Sequence, residues 1–105
     1  MPNDSWSLES ADPAIEQYIL SLPEPTRSKV GAHLDRLRLL GNRLRPPQTR
    51  SLGEGLMELK VLGQNAQRIY FAFRPGRRIL LLGIGSKNTQ RRDIETARAS
   101  WREMR

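Results

Sequence analysis

Apolar positions along this chain change their period three times, and the changes mark its elements. Ile15, Tyr18, Ile19 and Leu22 recur at three- and four-residue spacing, the period of one helix face. Asp12-Pro13 opens that helix with a capping side chain and a proline suited to the first turn, and Pro23 ends it. A second helix is predicted from Pro25 or Thr26 to Leu40, with Val30, Leu34, Leu37 and Leu39 or Leu40 facing inward. Gly41-Asn42 is its C-terminal stop. So short a break between two helices forces an antiparallel hairpin.

Beyond an extended connector from Arg43 to Leu52, the period drops to two. Leu56 to Leu62 puts Met57, Leu59 and Val61 on one face of a strand and Glu58 and Lys60 on the other. Gln67 to Phe73 puts Ile69, Phe71 and Phe73 opposite Arg68, Tyr70 and Ala72. Arg74-Pro75-Gly76-Arg77 is a tight turn, so Arg78 to Ile84 returns as the second arm of a β-hairpin. Ile79-Leu80-Leu81-Leu82 does not alternate and reads as buried on both faces, central in the sheet. From about Gln90 to Met104 the helical period resumes through Ile94, Ala97, Trp101 and Met104. Met1 to Ser10 has no clear period and reads as a loosely ordered end. The expected architecture is α+β: an N-terminal helical hairpin packed on a small, mainly antiparallel sheet, closed by a C-terminal helix, in one domain over residues 1–105.

Composition narrows the chemistry. The chain has no cysteine, which excludes disulfides, thiolate metal sites and cysteine nucleophiles. His33 is the only histidine, so a histidine zinc site cannot be assembled, and its mid-helix place near the inward stripe reads as structural. The carboxylates are scattered, with no close pair at a strand end to hold two metals, and no Walker or GxGxxG loop is present. No metal or cofactor is expected. No apolar run approaches the ~20 residues of a membrane span, and the N-terminus lacks the basic-then-apolar order of a signal peptide, so no membrane contact and a cytoplasmic location are expected.

The net charge of +7 is unevenly spread. Residues 1–40 carry four basic and six acidic side chains, whereas residues 41–105 carry fourteen basic against five acidic. Such asymmetry suits nucleic acid, a ribosome or an acidic protein partner. Fifteen of the eighteen basic residues are arginine, which favours two-pronged phosphate contacts. Arg68 and Tyr70 share a strand face, Lys60 lies on a neighbouring strand, and Lys87 leaves the end of the central strand just before a helix start. If the faces coincide, these four line one concave surface able to cleave RNA without metal. A 2′-OH attacks the adjacent phosphate, lysine or tyrosine takes the proton, and arginine stabilises the charge on phosphorus.

Three segments in order carry a family likeness: Leu52-Gly53-Glu54-Gly55-Leu56-Met57-Glu58-Leu59-Lys60, then Arg68-Ile69-Tyr70-Phe71, then Leu81 to Gln90 with Asp93, Ile94 and Ala97 behind it. Together, over roughly Asp12 to Trp101, they resemble the RelE/ParE superfamily of toxins from type II toxin–antitoxin systems, nearest its HigB-like and addiction-module-killer branches. The resemblance implies a ribosome-dependent mRNA endonuclease, an mRNA interferase that inhibits translation and arrests growth. It also implies a cognate antitoxin, usually a helix-turn-helix protein, and a toxin–antitoxin hetero-oligomer. Its alternatives are a ParE-like toxin that poisons DNA gyrase without nuclease chemistry, or an inactive relative that only binds an antitoxin. By position, Arg68 matches the arginine that stabilises phosphate, with Lys87, Lys60 and Tyr70 completing the catalytic set; Arg50, Arg91 and Arg92 are the expected RNA or ribosome contacts. The histidine or aromatic that several relatives carry near the end of the last strand is replaced here by Gly83, Ile84 and Gly85, and Trp101 is the only aromatic near the C-terminus.

Overall fold

The computed structural model describes residues 5–105. Its elements in chain order are β1 (Ser7–Ser10), α1 (Pro13–Ser21), α2 (Glu24–Leu40), β2 (Thr49–Ser51), β3 (Met57–Val61), β4 (Gln67–Arg74), β5 (Arg78–Ser86) and α3 (Gln90–Met104). Short 3₁₀ turns at Gly41–Arg43 and Lys87–Thr89 lead out of α2 and into α3. Asp12 caps α1 as expected, its Oδ1 accepting the Ala14 amide at 2.9 Å. Gly41 ends α2 with φ 52°, a backbone that favours glycine.

The strands form one sheet in the order β1-β5-β4-β3-β2, antiparallel throughout except where β1 runs parallel to β5. β5 is internal, as its apolar run implies. The sheet is mainly antiparallel as expected, with β1 its one parallel strand, but the helical hairpin does not begin the fold: it lies between β1 and the remaining strands. Residues 7–10, expected to be loose, pair with Arg78–Leu81, while the first four residues of that expected loose end lie outside the described residues. Four residues are too few to show a period; tertiary contacts order them instead. The Trp6 ring stacks on Phe73 with centroids 5.1 Å apart, lies 5.5 Å from the Arg77 guanidinium carbon, and its amide donates to the Arg38 carbonyl at 2.7 Å. A Cβ at position 41 would run into the same indole, so Gly41 both stops α2 and seats the N-terminal segment.

The sheet is a middle layer with a core on each face. One face buries Leu59, Val61, Ile69, Phe71, Ile79 and Leu81 beneath Ile15, Val30 and Leu37 of the helical hairpin. The other buries Leu56, Tyr70, Ala72, Leu80 and Leu82 beneath Ala97 and Trp101 of α3. Within α2, Val30 and Leu37 have no exposed surface, whereas Leu39 is 58% exposed and Leu40 packs inward. Leu37→Ala is therefore expected to cost about 2–5 kcal/mol, a large part of the stability of so small a domain. Leu39→Ala should stay within about 0.5 kcal/mol of wild type. Urea unfolding followed by circular dichroism checks both values, and equal losses at the two positions would contradict this packing.

Candidate nucleic-acid interface

The face under α3 decides which polar groups meet solvent. In the β4–β5 ladder Tyr70 pairs with Gly83 but Phe71 pairs with Leu81, so Leu82 is an extra residue and the strand bulges. The bulge reverses the alternation beyond it. Leu80 and Leu82 both join the core under α3, while Ile84 crosses to the hairpin side. Gly83 and Gly85 are thereby left beneath α3. A Cβ on Gly83 would sit 3.7 Å from the Ala97 Cβ, an ordinary contact, but one on Gly85 would collide with the Asp93 carboxylate. Glycine at 85 is thus what lets the first turn of α3 lie against the strand.

Under that turn sits a polar network. Glu58 has no exposed surface, and Oε2 accepts from Gln90 Nε2 at 3.0 Å and Arg50 Nη2 at 3.3 Å, while Arg50 Nε lies 3.2 Å from Oε1. The guanidinium that neutralises Glu58 comes from the β2 edge, since Arg50 and Glu58 are cross-strand partners. Beside Glu58, Tyr70 is also fully buried, and its hydroxyl has no hydrogen-bond partner. Burial, followed by the charges of Glu58 and Asp93, pushes the Tyr70 phenol up to about 12. Tyr70 therefore does not share an accessible surface with the lysines, and an outward-facing phenol is not available from it.

Lys60 and Arg68 do come together. They are directly opposed across β3 and β4, one row beyond the Glu58–Tyr70 pair, in the row that β5 continues as Gly85 against the first turn of α3. Both are partly exposed. Like charges facing each other across a ladder repel, and no ion pair to either is present among the described residues. The Arg68 Nε is buried and unpartnered. Together with His33, Pro47, Gln48 and Leu62 they line a cleft of about 310 Å³. Lys87 follows Ser86, the partner of Gln67, so it leaves the sheet at the same end as the Lys60–Arg68 row.

The other expected cations are placed differently. Arg50 is half exposed but committed to Glu58. Arg91 is 97% exposed and pairs with Glu95 at 4.0 Å; it shares a shallow cleft with Arg92, Asn88 and Thr89 at the start of α3. That helix start already carries a carboxylate, because Asp93 lies in its first turn and accepts from the Thr89 hydroxyl at 2.5 Å. Its amides are accordingly a weaker draw for phosphate than their position alone suggests. His33, read from the sequence as structural, lines the Lys60–Arg68 cleft. The signal lay in its place one turn after Lys29, on the flank of the α2 apolar stripe, and only the fold shows which strands that flank approaches. Among the described residues no three histidine, aspartate or glutamate side chains are grouped to hold a metal ion, and no helix is long and apolar enough to cross a membrane.

The Tyr70 environment sets a pH dependence. Its folded-state pKa lies above the unfolded value of 10.0, so the native state keeps a proton that the unfolded chain releases. The stabilisation is complete below pH 10 and lost as pH rises toward 12, by up to about 2–3 kcal/mol at ~1.4 kcal/mol per pH unit of separation. Tyr70→Phe removes an unpaired hydroxyl and should leave stability at pH 8 unchanged or slightly higher. Between pH 10 and 12 it should shed most of the wild-type loss, with Tyr18, also raised by burial, keeping a residual slope. Denaturant midpoints at pH 8, 10 and 11.5 measure this.

The same arrangement of elements occurs in known proteins. A structure of the E. coli toxin RelE in the free state, with two arginines replaced by alanine, superposes with a TM-score of 0.64 over 87% of this chain and 96% of that one, at 12% sequence identity. No curated protein matches the sequence. A family model described as "Phage derived protein Gp49-like (DUF891)" matches residues 17–102, from within α1 to the last turns of α3. By that match, which takes in the second helix, strands β2 to β5 and the Lys60–Arg68 row, the chain belongs to the phage-derived Gp49-like family, and its fold is RelE-like.

Proposed function

We propose that this chain is the toxin of a toxin–antitoxin pair, a metal-independent endoribonuclease that cuts mRNA on the ribosome. The observation that carries the reading is the Lys60–Arg68 pair: two cations held side by side on a rigid sheet, in a cleft whose lining residues include no carboxylate. A cationic pair without a protein counter-ion stabilises an external anion, and a phosphodiester supplies one. Arg68, anchored in β4, holds the phosphate through its planar fork and stabilises the charge that builds on phosphorus when the 2′-OH attacks. Lys60 sits beside it as a second charge near the departing oxygen. Lys87, exposed at the end of β5, and Arg91 and Arg92 beyond it extend the positive surface along the backbone of the message.

The fold likeness to RelE and the Gp49-like family support an antitoxin partner, which in this reading is a helix-turn-helix protein as in HigB-like pairs, and action in the cytoplasm. A surface this cationic gains on-rate from an acidic antitoxin segment and is masked by it. The modest power of a site built from lysine and arginine, about 10²–10³ from charge stabilisation, suits a substrate that the ribosome already holds in place.

Purified ribosomes carrying a defined message, with cut sites mapped by primer extension, test the reading. Wild type should cut. Arg68→Lys should lose about 10²–10³ in rate with an unchanged unfolding midpoint, because lysine cannot reproduce the two-pronged contact. Arg36→Ala, on the exposed side of α2, should cut normally. An uncut message together with inhibited gyrase supercoiling would replace this reading with that of a gyrase-directed toxin.

A further inference from the structure

Burial of Tyr70 leaves the cleft without the phenol that the sequence offered as a proton acceptor. One other side chain on the cleft wall has the chemistry. His33 projects from the middle of α2, is partly exposed, and its Nδ1 lies 2.8 Å from the Lys29 carbonyl oxygen one turn earlier. A carbonyl oxygen can only accept, so Nδ1 carries the hydrogen and donates it. In the neutral imidazole the lone pair then resides on Nε2, and the same bond limits rotation of the ring. Lys60 from β3 and Arg68 from β4 share the cleft with it, and Lys29 stands one turn away on its own helix; no carboxylate lines the cleft.

We infer that His33 is the general base of the Lys60–Arg68 site, accepting at Nε2 the proton of the ribose 2′-OH that attacks the phosphate. The inference rests on the nuclease reading above. In the step, the 2′-oxygen forms its bond to phosphorus as its proton passes to Nε2. The bond from phosphorus to the 5′-oxygen breaks, and that oxygen takes a proton from solvent. The imidazolium then returns its proton to solvent, leaving a 2′,3′-cyclic phosphate and a 5′-hydroxyl with no oxidant, metal or cofactor consumed. The division of labour follows from the side chains: Lys60 and Arg68 present only donors and hold the phosphate, and among the residues lining the cleft His33 is the one with a ring nitrogen whose lone pair can take the proton.

The assay is single-turnover cleavage on programmed ribosomes by wild type and His33→Ala, with and without added imidazole. His33→Ala should fold as wild type does, since alanine suits a helix interior and the imidazole belongs to neither core. It should cut about 10²–10⁴ times more slowly, and millimolar imidazole should restore part of the rate, which a merely structural histidine would not allow. The cyclic phosphate at the cut end is read by its resistance to a phosphomonoesterase. Wild-type rates in His33→Ala, or a loss that imidazole leaves untouched, would overturn the role of His33 while the nuclease reading stands. No cleavage by wild type would overturn the nuclease reading and this inference with it.

Discussion

Everything about the exposed half of the sheet depends on how closely α3 lies on the other half. The C-terminal end of the helix is tied to the loop between β2 and β3. Trp101 Nε1 donates to the Glu54 carbonyl at 2.7 Å, Arg98 donates to the Leu52 carbonyl at 3.0 Å, and the Glu54 carboxylate receives Arg102 at 2.7 Å and Arg105 at 2.9 Å. Glu54 is itself left-handed at φ 58°, between Gly53 and Gly55, so these contacts hold a turn that the backbone disfavours. At the other end, Gly85 admits Asp93 against the strand and Gln90 reaches Glu58. Pinned at both ends, α3 covers Tyr70, Ala72, Leu80 and Leu82 and meets the row that holds Lys60 and Arg68 at its Gly85 end, leaving Lys60 and Arg68 partly exposed.

The same anchoring engages three of the five acidic residues of the basic part of the chain. Of the five acidic residues after position 40, Glu54 is surrounded by Arg98, Arg102 and Arg105, Glu58 by Arg50, and Asp93 is held by Thr89. Hydrogen bonding to Arg102 keeps the Glu54 carboxyl below the usual range, a sign that its charge is already matched. Glu95 pairs on the surface with Arg91. What is left over at the cleft is cationic. The net charge of +7 is therefore an uneven field, and Lys60, Arg68 and Lys87 put part of its uncompensated charge at one end of the sheet.

The elements with many turns or clean alternation were legible in the sequence. Both ends of α1, the stop of α2 at Gly41, the bounds of α3 and the hairpin of β4 with β5 follow from caps, turns and period. Elements of three or four residues were not. β1 depends on Trp6 meeting Gly41 and Phe73, and β2 on pairing with β3, contacts distant in sequence that no local pattern encodes. The pairing of Lys60 with Arg68 was half legible: strand alternation gave their shared face, but only the register makes them neighbours. Alternation also misled. It put Tyr70 on the same face as Arg68 correctly, yet it cannot show where the cover of α3 begins, and so it cannot separate a buried phenol from a partly exposed guanidinium two residues away. The β5 bulge escaped for a related reason: Leu80-Leu81-Leu82 is apolar at every position, so the residue at which the period slips leaves no mark.

Opposed Lys60 and Arg68 side chains cost the free protein stability, and a sheet selected for stability alone would place a carboxylate in that row. The adjoining row shows the alternative, since Glu58 there is matched by Arg50 from the next strand and made safe to bury. The two rows differ in cover. Beneath α3 an unmatched charge would be prohibitive, so Glu58 is paired with Arg50; where Lys60 and Arg68 are partly exposed, water screens the repulsion and the pair can persist. An anion entering the cleft would relieve that repulsion and gain two charge-assisted contacts at once, without requiring the sheet to move. Local instability here is thus the counterpart of readiness to bind.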